Sequence, residues 1–548
     1  MKNQKLELQW PNKDKALYFD IESGKYDWVD KKDPRVSEPR ILVEKELYGD
    51  KDTENILIKG DNLLALKSLL QDFKNEIKLV YIDPPYNTGN AFEHYEDGLE
   101  HSVWLTLMRD RLLLLQRLLK RDGFICCHID DSEGQYLKVL MDEVFGRDNY
   151  LTTLYIRVRY PEKTLKSDMD FHKEIEQVHV YRNEYGATPN LNVSELSFNK
   201  FNYYIDELTE GQETTLGGKR ALIFKKDQYE IRKGKGSEDG LKEIWATGTI
   251  LDGNSSGRFF RDYLSNRYEQ DGYGVLYKVD GIGDDKFDYR YFTGPRRTGA
   301  TKGKYYQGVP MSQLNGDRKT RRQPIENFYD LAANFGNCRH EGGVEFRSGK
   351  KPEKLLQIIV KHFSNEGDYV LDSFAGSGTS GAVAHKMGRK WIMVEFGEHA
   401  ETHCIKRIQN VISGRDQTGI SRDVSWKGGG GFKYFELGDS LFVRDNDLRL
   451  TVINPKMYNG ALIKAVLKVE GFRLVNPDNG LHGMSGTTAA HVTEQYLSQD
   501  YVDVLLGEIG DQAKFVVIYA KTISSKIKLP DNVEVKRIPG VLLKKFTV

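Results

Sequence analysis

The 548-residue chain lacks net charge: Lys plus Arg and Asp plus Glu both number 80. A balanced sum says nothing of partners, so only the distribution of charge can. Cysteine is scarce. Cys126, Cys127, Cys338 and Cys404 are the four present, and none has zinc-ligand spacing. Adjacent Cys126 and Cys127 would face opposite sides of a strand, which argues against a disulfide framework and for a reducing, cytoplasmic setting. Long apolar runs are missing too. The most apolar helix candidate contains LLLLQRLLKR, far short of a bilayer span, so no membrane association is expected. The opening MKNQKLELQW is charged and holds no apolar stretch of a secretory leader. With 39% hydrophobic and 29% charged residues the composition is that of a globular protein, and the length suggests three or four domains.

Within that frame, β and α patterns alternate. NILIKGDN, LLALKSLLQDF and IKLVYID read as strand, helix and strand over residues 56–82. Apolar residues at intervals of three and four predict a helix from Val103 to Arg121, stopped by Gly123. FICCHID reads as a buried strand and SEGQYLKVLMDEVFG as a helix. From 150 to 340 the periodicity dissolves into Gly, Tyr, Lys and Arg, which predicts an irregular inserted domain. Order returns with helix KKPEKLLQIIVKHF, strand DYVLD, loop SFAGSGTSG, helix AVAHKMG, strand KWIMVE and helix EHAETHCIKRIQNVI. GGGG at 428–431 marks a boundary before a tail with helix GALIKAVLKVEGF and strands KFVVIYA and VLLKKF. The expected fold class is α/β: one doubly wound sheet assembled from 1–149 and 341–427, interrupted by 150–340 and followed by a small α+β domain, 428–548.

Two stretches carry chemistry. In DYVLDSFAGSGTSG, Gly376, Gly378 and Gly381 form G-x-G-x-x-G between a strand and a helix, and Glu395 ends the next strand. Glycines let a ligand approach the backbone, the helix N-terminus favours an anionic group, and a later carboxylate can bond ribose hydroxyls. That suits an adenine nucleoside, and leaves a dinucleotide, S-adenosylmethionine or a plain tight turn open. The second stretch is YIDPPYNTGN, Tyr81 to Asn90, with two prolines directly after a buried strand. Proline has no N–H, so the Asp83 carboxylate and the Pro84 carbonyl would form a pair of acceptors without a competing donor. Such a pair can hold both N–H groups of an exocyclic base amine and turn its lone pair towards an electrophilic methyl group. Pro85 keeps the turn rigid and Tyr86 offers a ring for the base to stack on, which requires the base to leave the duplex.

Nine basic residues and one acid, Asp317, lie between Arg290 and Arg322, interleaved with Tyr291, Phe292, Tyr305 and Tyr306. Cations meet phosphates and rings meet bases, so this is either a nucleic-acid surface or a solvated loop. Asp61, in KGDN, could simply cap the helix that follows. Asp130 and Asp131 read as caps for SEGQYL, and the histidines as core or surface residues.

DPPYNTGN together with DSFAGSGT resembles the amino-methyltransferases of DNA, and Asp in the first platform position resembles those that act on adenine N6. The platform preceding the cofactor loop, with an insertion between, resembles the circularly permuted β class. KLELQWPNKDKA and GGGGFKYFEL resemble the modification subunit of type III restriction-modification systems. The resemblance implies an S-adenosylmethionine-dependent adenine-N6 methyltransferase acting on double-stranded DNA, with catalytic residues Asp83, Pro84, Pro85 and Tyr86; the alternative is a catalytically idle DNA-specificity subunit for a partner nuclease, or methylation of cytosine N4 or RNA. It implies cofactor contacts from Asp61, Phe346, Lys351, Asp372, Phe374, Ala375, Gly376, Ser377, Gly378, Thr379 and Glu395. The insertion becomes a target-recognition domain, and Arg296, Arg297, Lys302, Lys304, Arg318, Lys319, Arg321 and Arg322 its DNA contacts. A homodimer and a restriction subunit are the implied protein partners, with no metal. There is no Pro-Cys dipeptide for a cysteine-nucleophile route to C5 methylation, and no G-x-x-x-x-G-K-[ST] loop for an ATPase.

Overall fold

Short aliphatic runs with few polar interruptions suit strands covered on both faces, and here they become neighbours in one parallel array. In the computed structural model, strands Leu119–Ile129, Ile77–Ile82, Tyr369–Asp372, Lys390–Glu395, Ile56–Lys59 and Gly431–Leu437 lie side by side in that order, all parallel. Leu42–Gly49 closes one edge antiparallel. Beyond Leu119–Ile129 the sheet continues with antiparallel Ile175–Arg182, then Tyr150–Arg157 and Phe328–Asp330, for ten strands in all. The structure describes residues 6–20, 24–87, 100–160, 171–195, 197–249, 254–300, 302–314, 320–346, 349–445, 450–458, 461–538 and 540–543.

Alternating side chains feed two cores. Helices Asn62–Phe73, His101–Leu118 and Gly134–Phe145 pack on one face with Ile82, Ile125 and Cys127. Helices Glu353–Phe363, Thr379–Lys386 and Lys406–Ile412 cover the other with Leu79, Tyr81 and Cys126. Cys126 and Cys127 thus belong to opposite layers, and all four cysteines are buried and free. The connection after Tyr369–Asp372 runs to Lys390–Glu395, while that after the adjacent Ile77–Ile82 runs to Leu119–Ile129 on the other side. Their connections part to opposite sides, and the C-terminal ends at such a point bound the crevice where a doubly wound sheet usually takes its ligand.

Several boundaries differ from expectation. The helix ends at Leu118 rather than Arg121, because Leu119 pairs with Ile77 and begins a strand. Gly123 lies inside that strand, where an added Cβ would come within 2.9 Å of the Lys120 carbonyl and 3.0 Å of the Ile77 carbonyl. The separate unit runs over 191–325, narrower than 150–340, since Tyr150–Arg157 and Ile175–Arg182 find pairing partners in the main sheet. That unit is not irregular. Gln212–Leu216, Lys219–Phe224, Leu276–Asp280, Tyr289–Thr293, Gly303–Gln307 and Lys242–Ala246 form a six-stranded antiparallel sheet in that order. Its strands are short and mix Tyr, Lys and Arg with few aliphatics, so apolar alternation is weak in the sequence.

The tail also begins inside the main sheet, with Gly431–Leu437. It then forms a five-stranded sheet ending in parallel strands Thr488–Leu497, Phe515–Ile523 and Val533–Arg537. Glu38, buried beside the catalytic half, accepts from the Leu441 N–H at 2.6 Å and ties the tail on. Gly540–Leu543 is helical, where VLLKKF reads as a strand; residues 544–548 lie outside the described residues.

Candidate active site

Strand Ile77–Ile82 delivers Asp83 and the two prolines to the crevice. The Pro85 carbonyl accepts from the Trp104 indole N–H at 2.8 Å, so helix His101–Leu118 braces the turn. Among the described residues no hydrogen bond reaches the Pro84 carbonyl. Asp83 Oδ1 is buried and accepts no hydrogen bond from the described residues; the Lys351 ammonium lies 3.3 Å away. Two acceptors on adjacent residues thus receive no hydrogen bond from the described residues. An unpaired buried carboxylate oxygen is costly unless a ligand or ion completes it.

Around the platform lies a set of buried polar groups. The Tyr86 hydroxyl accepts from Lys351 Nζ at 2.7 Å and donates to Glu176 Oε2 at 3.1 Å. Lys351 Nζ also reaches Glu176 Oε2 at 3.3 Å. On its other side Glu176 Oε2 lies 2.8 Å from His128 Nε2, and His128 Nδ1 lies 3.0 Å from the Tyr81 hydroxyl. Burial opposes the charge of Glu176, yet Lys351 and His128 outweigh it and hold this carboxyl well below the usual range. Burial likewise works against the Lys351 ammonium, but Asp83 and Glu176 raise it above an ordinary lysine. Burial pushes the Tyr86 hydroxyl far up, so it stays protonated.

The glycine loop follows the adjacent strand. Gly376 and Gly378 take positive φ, +52° and +74°, and Gly378 caps helix Thr379–Lys386. Among the described residues nothing but the Phe374 carbonyl, 4.0 Å off, would meet a Cβ at Gly376, which leaves room above it. Gly381 serves packing: a Cβ there would come within 2.5 Å of the Met393 methyl carbon. Asp372 accepts from the Phe374 N–H at 2.9 Å and the Ser380 hydroxyl at 2.6 Å, shaping the turn. Glu395 accepts from the Gly376 N–H at 2.6 Å. Burial pushes both carboxyls up to about 7, against those hydrogen bonds. Ala375 and Phe374 are buried beneath the loop, while Ser377 and Thr379 share the Arg407 guanidinium, 3.5 and 2.7 Å away.

Other expected positions fall differently. Asp61 caps helix Asn62–Phe73 through the Leu64 N–H at 3.2 Å, and its Oδ2 lies 3.3 Å from Arg111. Asp130 accepts from the Ser132 N–H at 2.8 Å, a local turn bond. Phe346 packs edge-on against His399 and His403. Lys351 reaches the loop with its carbonyl, which accepts from Thr379 Oγ1 at 3.3 Å, while its ammonium goes to the platform. Glu176 and His128 are site residues that the motifs do not single out. The available signal is an acid inside the apolar alternation IEQVHVY, obscured because that strand falls within the expected insertion.

In the separate unit, Arg296, Arg297 and Lys302 are exposed and make no ion pair among the described residues. Lys304 is engaged by Glu243 at 2.7 Å and lies over the Trp245 ring. Arg321 and Arg322 sit on strand Thr320–Gln323, with Arg322 exposed; Arg318 and Lys319 lie outside the described residues. Tyr291, Phe292, Tyr305 and Tyr306 are core residues of the six-stranded sheet, so they are not the base-stacking rings of a surface strip. Arg290 is buried too, paired with Asp285.

Among the described residues no cluster of His, Cys, Asp or Glu could hold a metal, and no helix is long and apolar enough to cross a membrane.

A family model described as DNA methylase matches residues 77–406. The chain is 33% identical over 416 residues to a probable type III restriction-modification enzyme HindVI Mod subunit of Haemophilus influenzae, covering 70% of this chain and 54% of that protein. It is 28% identical over 381 residues to the EcoPI Mod subunit of Escherichia phage P1, covering 61% and 56%. The chain thus spans little more than half the length of these relatives. A putative DNA modification methylase from Thermus thermophilus, solved with S-adenosyl-L-methionine, is 15% identical at a TM-score of 0.32, covering 69% of this chain and 99% of that one.

Proposed function

The chain belongs to the DNA methylase family, and on that footing we propose that it moves a methyl group from S-adenosylmethionine to the N6 amine of an adenine flipped out of duplex DNA. The observation that carries this reading is the pair of acceptors Asp83 Oδ1 and the Pro84 carbonyl, to which no described residue donates a hydrogen bond, beside a glycine loop with room above Gly376. Glu395 and Asp372, at the ends of adjacent strands, suit the hydroxyl and ammonium donors of S-adenosylmethionine, which supplies the electrophilic methyl when bound. Asp83 and Pro84 hold both amine hydrogens, and the acceptors favour the positive charge that grows on nitrogen as the N–C bond forms. The amine then gives up one proton to the Asp83 carboxylate it is bonded to, which passes it to water. Tyr86, Trp104 and the prolines keep the acceptors rigid, so little is spent on reorganisation.

The recognition of DNA is assigned to the unit 191–325, with Arg296, Arg297, Lys302 and Arg322 on phosphates. The matched relatives are Mod subunits of type III restriction-modification enzymes, which supports a place as modification subunit, as a homodimer with any cleavage in a partner. The test is transfer of label from S-adenosylmethionine to unmethylated duplex DNA, followed by nucleoside chromatography. Label in N6-methyldeoxyadenosine, lost in Asp83→Ala with DNA binding retained, is expected. Label in cytosine overturns the base assignment, and loss of DNA binding in folded Asp83→Ala overturns the division of labour.

A further inference from the structure

Lys351 poses a difficulty for the platform it touches. Its side chain is buried, and its ammonium stands 3.3 Å from Asp83 Oδ1, the place a base amine must take. A fixed cation there would block the acceptor and repel the charge that grows on the amine. Yet the same ammonium is 3.3 Å from Glu176 Oε2 and 2.7 Å from the Tyr86 hydroxyl. It stands between two carboxylates at equal distance, held also by the Tyr86 hydroxyl, which accepts from it.

We propose that Lys351 is a placeholder cation: it satisfies Asp83 while no base is bound, and withdraws to Glu176 and Tyr86 when the amine enters. This rests on the methyltransferase reading. A buried carboxylate oxygen without a partner is costly, and the ammonium supplies Asp83 Oδ1 with one between turnovers. Glu176 makes the exchange nearly neutral in energy, because the cation moves from one anion to another rather than into a void. Glu176 is itself steadied by His128 Nε2 at 2.8 Å, and His128 by Tyr81. The other groups facing Asp83 are Asp372 and Cys127, from the neighbouring strands. Lys351 and Glu176 are therefore positioning residues, which act through Asp83.

The test uses the full chain and labelled transfer to unmethylated duplex DNA across DNA concentration, with Lys351→Met, Glu176→Gln and the double variant. Lys351→Met leaves two buried anions facing each other. Its rate should fall at least about tenfold, mostly in kcat. Glu176→Gln strands the ammonium on Asp83, so KM for DNA should rise while kcat is largely kept. The double variant removes both charges and should methylate faster than Lys351→Met alone. KM does not depend on how much protein has folded, so it stays readable in a destabilised variant. A loss divided between kcat and KM in the same way in both singles, or a double variant slower than Lys351→Met alone, overturns the placeholder while leaving the methyltransferase reading intact. A wild-type protein that transfers no label overturns that reading and this one with it.

Discussion

Asp372 and Glu395 show how a site can be built at the expense of its own stability. Both sit at strand ends that only a crevice leaves open, and burial pushes both up to about 7. In an unfolded chain each would ionise near the ordinary carboxylate range, so between roughly pH 4 and 7 the folded state holds more protons. Their contribution to stability is complete below the unfolded value and is lost as pH rises through about 7. Ligand-free protein is therefore expected to melt lower at mildly alkaline than at mildly acidic pH. Glu395→Gln should flatten part of that slope, which melting curves across pH will read; a slope unchanged in the variant would remove Glu395 from the account.

At the scale of elements, the platform depends on a helix that touches no ligand. Trp104 fills the core and gives its indole N–H to the Pro85 carbonyl. Trp104→Phe keeps a ring but strips that donor, and should cost about 1–3 kcal/mol with a lower kcat and unchanged binding of S-adenosylmethionine. Urea melts beside turnover and equilibrium dialysis separate the effects. On the opposite face, Lys386 from helix Thr379–Lys386 meets Glu353 and Asp416, while Arg407 joins Glu353 to Thr379. All four charges are fully buried, so the glycine loop stands on an ion cluster with no water to replace a missing member. Glu353→Gln leaves two cations short of an anion and is expected to cost about 3–5 kcal/mol, measured by denaturant unfolding. A loss near zero would mean that Asp416 suffices.

Over the whole molecule, zero net charge means that attraction to DNA must be local. Arg296, Arg297 and Lys302, exposed in the unit 191–325, are among the groups proposed to supply it. Replacing all three by alanine should weaken DNA binding and reduce the slope of log affinity against log salt by about one for each phosphate no longer neutralised. Binding of S-adenosylmethionine should not change, since the glycine loop proposed to take it belongs to the other unit. Fluorescence titrations at several salt concentrations check this, and an unaltered slope would move the DNA surface elsewhere.

From the sequence alone, the doubly wound pattern, the glycine loop and the Asp-Pro-Pro-Tyr turn could be read, because each depends on neighbours within a dozen residues. Local φ/ψ demands, proline's missing N–H and β/α periodicity are written into adjacent letters. The boundaries of the insertion could not be read, because Tyr150–Arg157 and Ile175–Arg182 become core strands only by pairing with a distant partner. Nor could the aromatics between Arg290 and Arg322, whose burial depends on which face the six-stranded sheet covers. Only the tertiary structure brings Glu176 and His128 to Asp83 and turns Lys351 from the cofactor loop to the platform. Charges so far apart along the chain meet only after the sheet has ordered their strands, and their protonation is then decided by burial and by one another.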